Sequence, residues 1–184
     1  GSGDPARIPP EPRGEPGGIE AARADELPEL VTREDIRGDL HCHSDWSDGR
    51  NTLEEMAEAA QAAGHRYLAI TDHSQHTRVA NGLDRDRLAR QIDAIDELNA
   101  SFDDFVLLKA SEVDILEDGT LDLDDDILAR LDLRVCSIHD RFDLAEEKQT
   151  QRVLKAMDNP HFNIFAHPTG RMVAGRTGYA LDME

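Results

Sequence analysis

No apolar run in this chain approaches the roughly 18 residues that a membrane-spanning helix needs. The N-terminus also lacks the charged-then-apolar pattern of a secretory signal, so a soluble, cytoplasmic protein with no membrane partner is expected. Cysteine is scarce: Cys42 and Cys136 are the only two in 184 residues. Each sits in a short strand-like segment, where a thiol serves as a small buried hydrophobe, and no disulfide partner is expected. Basic charge is scarce too, with 20 Lys and Arg against 39 Asp and Glu and a net charge of -19. Such a surface is poorly suited to gripping a nucleic-acid backbone, so any such grip must come from elsewhere. There is no internal repeat, and the acidic stretch 117–126 lacks the ligand spacing of an EF-hand. It reads as a solvated loop and helix start.

Residues 1–35 are rich in Pro, Gly, Glu and Arg, as in PPEPRGEPGG, and read as a linker or arm whose leading Gly-Ser-Gly has the composition of a cloning scar. From Ile36 the pattern changes, and 36–184 reads as one α/β domain in which short apolar strands alternate with amphipathic helices. The strands are IRGDLH, YLAITDH, VLLKASEVDI, LRVCSIH and FNIFAH. Helices are expected over 52–63, 84–100, 124–131 and 144–158. Thr52 and Glu55 have capping-box spacing, and Leu88, Ile92, Ile95 and Leu98 share one face that should lie on the sheet.

The strands end in metal-type ligands. His41 and His43, His73, His139 and His167 stand at or just past strand ends, and Glu112 lies near the end of the third strand. Parallel sheets gather their active sites at the C-terminal edge, so these six side chains should converge. His41 and His43 are two apart and face one way on an extended backbone, which turns Cys42 toward the helices. Asp48, in a Ser-Asp-Gly turn, brings a carboxylate back over the strand end. Imidazole mixed with carboxylate suits manganese or zinc, with iron as a further option, better than magnesium or calcium. His65, His76 and His161 lie outside the strand ends and are not assigned as ligands. Asp72 and Asp140 alternate away from their His neighbours and should support ligands from behind or cap a helix.

The segment DLHCHSDWSDG, with its H-x-H, resembles the polymerase and histidinol phosphatase (PHP) family. TLEEMAEAAQAAGHRYLAITDHS, VANGL, SEVDILEDGTLD, LDLRVCSIHDRF and NPHFNIFAHPTGR are more narrowly similar to the C-terminal PHP domain of bacterial family X DNA polymerases. The arm resembles the connector that precedes that domain. The resemblance implies a distorted seven-stranded (β/α) barrel holding up to three divalent ions. His41, His43 and Glu112 would hold the first; Glu112, His139 and His167 the second; Asp48 and His73 the third. A late Asp-x-His completes the family pattern, whereas this chain stops at LDME. The expectation is a barrel truncated before its last strands, a third site short of ligands, and poor hydrolysis.

Metal-assisted hydrolysis of a phosphate ester fits this ligand set and requires no nucleophilic Ser or Cys. Arg171 and Arg176 are candidates for holding the substrate phosphate, since a guanidinium offers a planar fork to its oxygens. The resemblance favours a 3'-5' exonuclease working in DNA repair, with DNA reached through a parent polymerase. A histidinol-phosphatase-like enzyme acting on a small phosphate ester, and a non-catalytic module docked on a polymerase, are the competing readings.

Overall fold

Strand and helix alternate from Gly38 onward in the computed structural model, which describes residues 18–24, 26–29, 31–172 and 174–183. The leading Gly-Ser-Gly and the proline-rich run up to residue 17 lie outside the described residues. The chain divides into two compact units, Gly1–Ile36 and Arg37–Glu184. Within the first, helix α1 (Gly18–Ala24) has Glu20 in its first turn and Arg23 in its last, each favourable to the helix dipole. A 3-10 turn at Arg33–Asp35 follows, in which Asp35 accepts from the Thr32 backbone N–H at 2.8 Å.

The second unit runs β1 (Gly38–Cys42), α2 (Leu53–Ala62), β2 (Tyr67–Ile70), α3 (Arg85–Asn99), β3 (Val106–Asp114), α4 (Asp125–Leu128), β4 (Leu133–Ser137), α5 (Glu146–Met157) and β5 (Ile164–Phe165). All four strand pairings are parallel, and the order in the sheet is β1-β2-β3-β4-β5. Each new strand is laid beside the previous one without reversal. With crossovers of one hand, that sequential order keeps the helices on one face of the sheet, as in a barrel wall. A doubly wound sheet reverses direction and covers both faces. The fold is therefore the α/β, barrel-type architecture expected, with five strands among the described residues.

Local sequence accounts for the starts of α2 and α3. Thr52 caps α2 through a reciprocal pair: Glu55 N–H donates to Thr52 Oγ1 at 3.3 Å, and Thr52 N–H to Glu55 Oε2 at 3.1 Å. Asp84 caps α3 by accepting from Arg87 N–H at 2.8 Å. Leu88, Ile92 and Ile95 of α3 are buried, and Leu98 is partly buried, as their spacing predicts. Two elements fall furthest short of the expectation. Helix α4 has four residues rather than eight, because Arg130 and Leu131 tighten into turns bonded three residues back. Strand β5 has two residues rather than six, since the Asn163 side chain, not its backbone, accepts from Arg134 N–H at 3.0 Å.

One apolar cluster, including Leu53, Leu68, Ile70, Ile95 and Leu107, seats α2 and α3 on β2 and β3. Another, including Leu88, Val113, Ile127, Ile138 and Val153, lies under the remaining helices. Cys42 packs against the first cluster and donates to Ala69 O at 3.1 Å, on the helical side as alternation predicts. Both cysteines are free thiols. Strand β1 carries an irregularity: Asp39 pairs with Leu68 and Cys42 with Ile70, three steps on one strand against two on the other. No helix among the described residues is long and apolar enough to cross a membrane.

Candidate metal centre

Glu112, third from the end of β3 and 1% exposed, carries the carboxylate on which the strand ends converge. Its Oε2 lies 3.1 Å from His41 Nε2, 3.3 Å from His43 Nε2 and 3.3 Å from His73 Nδ1. Its Oε1 lies 2.9 Å from His167 Nε2 and 3.3 Å from His139 Nε2, and accepts from Ser137 Oγ at 2.5 Å. His41 is the next-to-last residue of β1 and His43 the first beyond it, His73 bridges to Glu112 past the end of β2, and His139 and His167 each stand two residues beyond β4 and β5. His167 adopts a left-handed backbone, φ 29°, a conformation that costs a non-glycine residue energy and recurs at functional sites.

The five imidazoles close a ring around that carboxylate. Neighbouring centroids are 5.3 Å apart for His41 and His43, 4.5 Å for His43 and His73, 5.1 Å for His73 and His139, 5.4 Å for His139 and His167, and 6.3 Å back to His41. Asp48, half exposed, reaches over the stacked pair, 3.7 Å from His43 Nδ1 and 3.8 Å from His73 Nε2. Both histidines thus offer one nitrogen to Glu112 and the other toward Asp48.

This donor set fits divalent ions. Ligand atoms about 2.1 Å from one tetrahedral ion stand about 3.4 Å from each other, close to the nitrogen-to-oxygen separations around Glu112. The buried Nδ1 atoms of His43 and His73 have no hydrogen-bond partner, a costly state for polar atoms unless another ligand uses them. Three sets have ligand atoms within 4.8 Å of one another: His41, His43 and Glu112; His43, Asp48 and His73; and His73, Glu112 and His139. His167 joins through Glu112 Oε1.

Charge states follow the same geometry. Burial pushes the Glu112 carboxyl up, but hydrogen bonds from His139, His167, His41 and His43 outweigh it and hold the group well below the usual carboxylate range. Burial works against charge on His139 as well, yet Asp114 and Glu112 raise it to about 9. His43 is raised by Glu112 against its burial, whereas burial lowers His73.

The surrounding residues hold the loops. Asp72 is buried and points away from the ring, accepting from Ser44 N–H at 2.8 Å, Ser47 Oγ at 2.5 Å and Gln91 Nε2 at 2.5 Å. It therefore ties the H-x-H loop to α3. A Cβ on Gly49 would sit 2.3 Å from His43 O, so the turn carrying Asp48 admits no side chain there. Asp140 pairs with Arg152 at 2.7 Å and with His76 at 3.0 Å. Arg176 spends Nε and Nη2 on Gly170 O, and its plane lies 3.6 Å over the Phe142 ring. Arg171 is exposed and lines a groove with Met172, Ala174, Gly175, Arg176 and Thr177.

Sequence reasoning missed Asp114. It is 1% exposed, and its Oδ1 lies 2.8 Å from His139 Nδ1. A signal was available: Asp114 stands two residues after Glu112 on one strand, so both share a face.

The PHP domain family matches residues 39–164. The chain is 49% identical over 177 residues, 96% of its length, to a DNA polymerase/3'-5' exonuclease PolX of Bacillus subtilis, of which it spans 31%. It is 30% identical over 156 residues to a probable phosphatase of a Thermoanaerobacter species, covering 79% of this chain and 57% of that protein. A probable phosphatase of Acetivibrio thermocellus is 31% identical over 150 residues, with 79% and 57% covered. The chain thus spans well under two thirds of these relatives. With the match across most of the second unit, and with five histidines and a shared glutamate at the strand ends, the chain belongs to the PHP domain family.

Proposed function

We propose that this domain is a metal-dependent phosphoesterase, and that its role is the 3'-5' exonuclease activity of a bacterial family X DNA polymerase in DNA repair. One observation carries the metal reading: the two oxygens of buried Glu112 face different histidine sets, His41, His43 and His73 on one side and His139 and His167 on the other. That division suits a carboxylate shared between two ions, manganese or zinc by the donor chemistry, with Asp48 and His73 able to serve a third. When bound, the ions supply Lewis acidity, charge for the phosphoryl oxygens and a more acidic water. The chain's own residues then have defined tasks. Glu112 and the histidines would fix where charge is concentrated; Asp48 would cover the outer nitrogens of His43 and His73; Arg171, exposed beyond His167, would meet a substrate phosphate. The identity to PolX supports DNA as substrate, met in the cytoplasm and gripped largely through a polymerase portion, in keeping with a domain of net charge -19.

The probable phosphatases at about 30% identity, and the same acidity, favour a second reading, hydrolysis of a small phosphomonoester. The test is the chain loaded with Mn2+ or Zn2+ and assayed on single-stranded DNA labelled at its 5' end and on histidinol phosphate. Stepwise shortening of DNA from the 3' end, abolished by EDTA, is expected. Turnover of histidinol phosphate alone would install the second reading. Absence of hydrolysis by a metal-loaded chain extended through an Asp-x-His would remove both.

A further inference from the structure

We propose that Asp114 is the positioning residue for His139: it takes the Nδ1 side of the ring, and so presents Nε2 to the centre built on Glu112. The inference rests on the metal reading above and extends it to a residue that is not a ligand. Asp114 is a carboxylate at 1% exposure with no Lys or Arg paired to it among the described residues, a placement whose desolvation cost must be met by hydrogen bonds. Its Oδ1 is 2.8 Å from His139 Nδ1, and its Oδ2 accepts from Thr77 Oγ1 at 2.6 Å. Its backbone N–H is held in turn by Ser74 Oγ at 2.9 Å and Asp122 Oδ1 at 3.1 Å.

Direction settles the role. The two nitrogens of an imidazole diverge across the ring, so a carboxylate on Nδ1 cannot share an ion with Nε2, which lies 3.3 Å from Glu112 Oε1. A carboxylate accepts and does not donate, so Nδ1 must carry a proton and the Nε2 lone pair is left for a metal. Thr77 Oγ1, also 3.2 Å from His139 Nδ1, restricts the ring further. Among the described residues, no other histidine of the five has a buried carboxylate hydrogen-bonded to its outer nitrogen; Asp48 approaches His43 Nδ1 only to 3.7 Å and is half exposed. His139 is therefore the member of the ring whose tautomer and orientation are fixed from behind.

Metal titration of four proteins tests this: the wild-type chain, Asp114→Asn, His139→Ala and the double variant, each measured for Zn2+ affinity with a chromophoric competitor. Asp114→Asn keeps the shape and removes the charge. It should weaken Zn2+ about 10–100-fold while the circular dichroism spectrum stays that of the wild type. In the His139→Ala background the same change should have no further effect, because Asp114 acts through the ring that is gone. Thr77→Val should show a smaller loss with the same dependence on His139, which keeps the test alive if Asp114→Asn folds poorly. In the zinc-loaded wild type, 15N spectra of labelled histidine should place the His139 proton on Nδ1. Unchanged affinity in Asp114→Asn, an equal loss with and without His139, or a proton on Nε2 would overturn the proposal while leaving the metal reading intact. A folded wild-type chain that binds no Zn2+ would remove the metal reading, and this role with it.

Discussion

Leu107 and Glu112 lie five residues apart on β3, with 0% and 1% of their surfaces exposed, yet opposite physics keeps them there. Leu107 is buried by contact with Leu53, Leu68, Ile70 and Ile95, a contribution that is non-directional and scales with area. Glu112 is buried against its own desolvation, and only the five imidazoles and Ser137 make its position tolerable. The first half of the strand can exchange one apolar group for another at modest cost. The second half depends on every partner, and that dependence marks the functional end of the sheet.

The sharpest way to separate the two halves is to remove the charge at Glu112. Glu112→Gln should weaken divalent-metal binding by about three orders of magnitude, corresponding to the ~4 kcal/mol typical of breaking a buried charged pair, and take hydrolysis to background. Metal titration and the DNA assay read both. Binding within tenfold of the wild type would show that Glu112 is not a ligand. Leu107→Ala should do the reverse, costing about 2–5 kcal/mol of stability in denaturant titration while the metal affinity of the folded protein is unchanged. A metal-affinity loss there as large as in Glu112→Gln would erase the distinction between the halves.

A third measurement uses pH on the metal-free protein. Although burial opposes charge on His139, Asp114 and Glu112 raise it to about 9, above its unfolded value near 6.5. That contribution to stability is fully present below about pH 6.5 and is lost as pH rises through about 9. His43, raised as well, acts in the same direction; His73, lowered by burial, acts in the opposite one. With EDTA present, the melting temperature should therefore fall between pH 6.5 and 9.5, and His139→Ala should flatten that slope. Leu107→Ala should lower the whole curve without changing its slope. A flat wild-type profile would mean that the imidazoles are not paired with the carboxylates in solution. The smallest effect is local: Thr52→Ala removes the cap of α2 and should cost about 1 kcal/mol, a shift of about 2–4 °C, with no change in metal affinity.

Sequence legibility followed the same division. Alternation placed Cys42 on the helical side, helical spacing buried Leu88, Ile92 and Ile95, and capping chemistry marked the start of α2 at Thr52. The strand-end histidines and Glu112 could be gathered because a parallel sheet delivers its C-terminal ends to one place. Asp114 was legible only by its place two residues after Glu112, since by residue type alone it looks like any other acid in a chain with 39 of them. The shortness of β5 was hidden as well, because it depends on the Asn163 side chain reaching Arg134, a contact between residues far apart in sequence.

The extra residue in β1 has an evolutionary reading. Between Asp39 and Cys42 this strand takes three steps while β2 takes two, so the phase of every side chain from Cys42 onward is set by a count as well as by identity. A one-residue deletion at Leu40 would leave two steps against two, so Asp39 could still face Leu68 and Cys42 still face Ile70, and the strand would lose its bulge while both histidines kept their side of the sheet. Point substitution leaves that count untouched, but an indel changes it in one event. A relative that keeps both histidines but loses one residue here should therefore keep its metal ligands, on a straighter and less twisted β1.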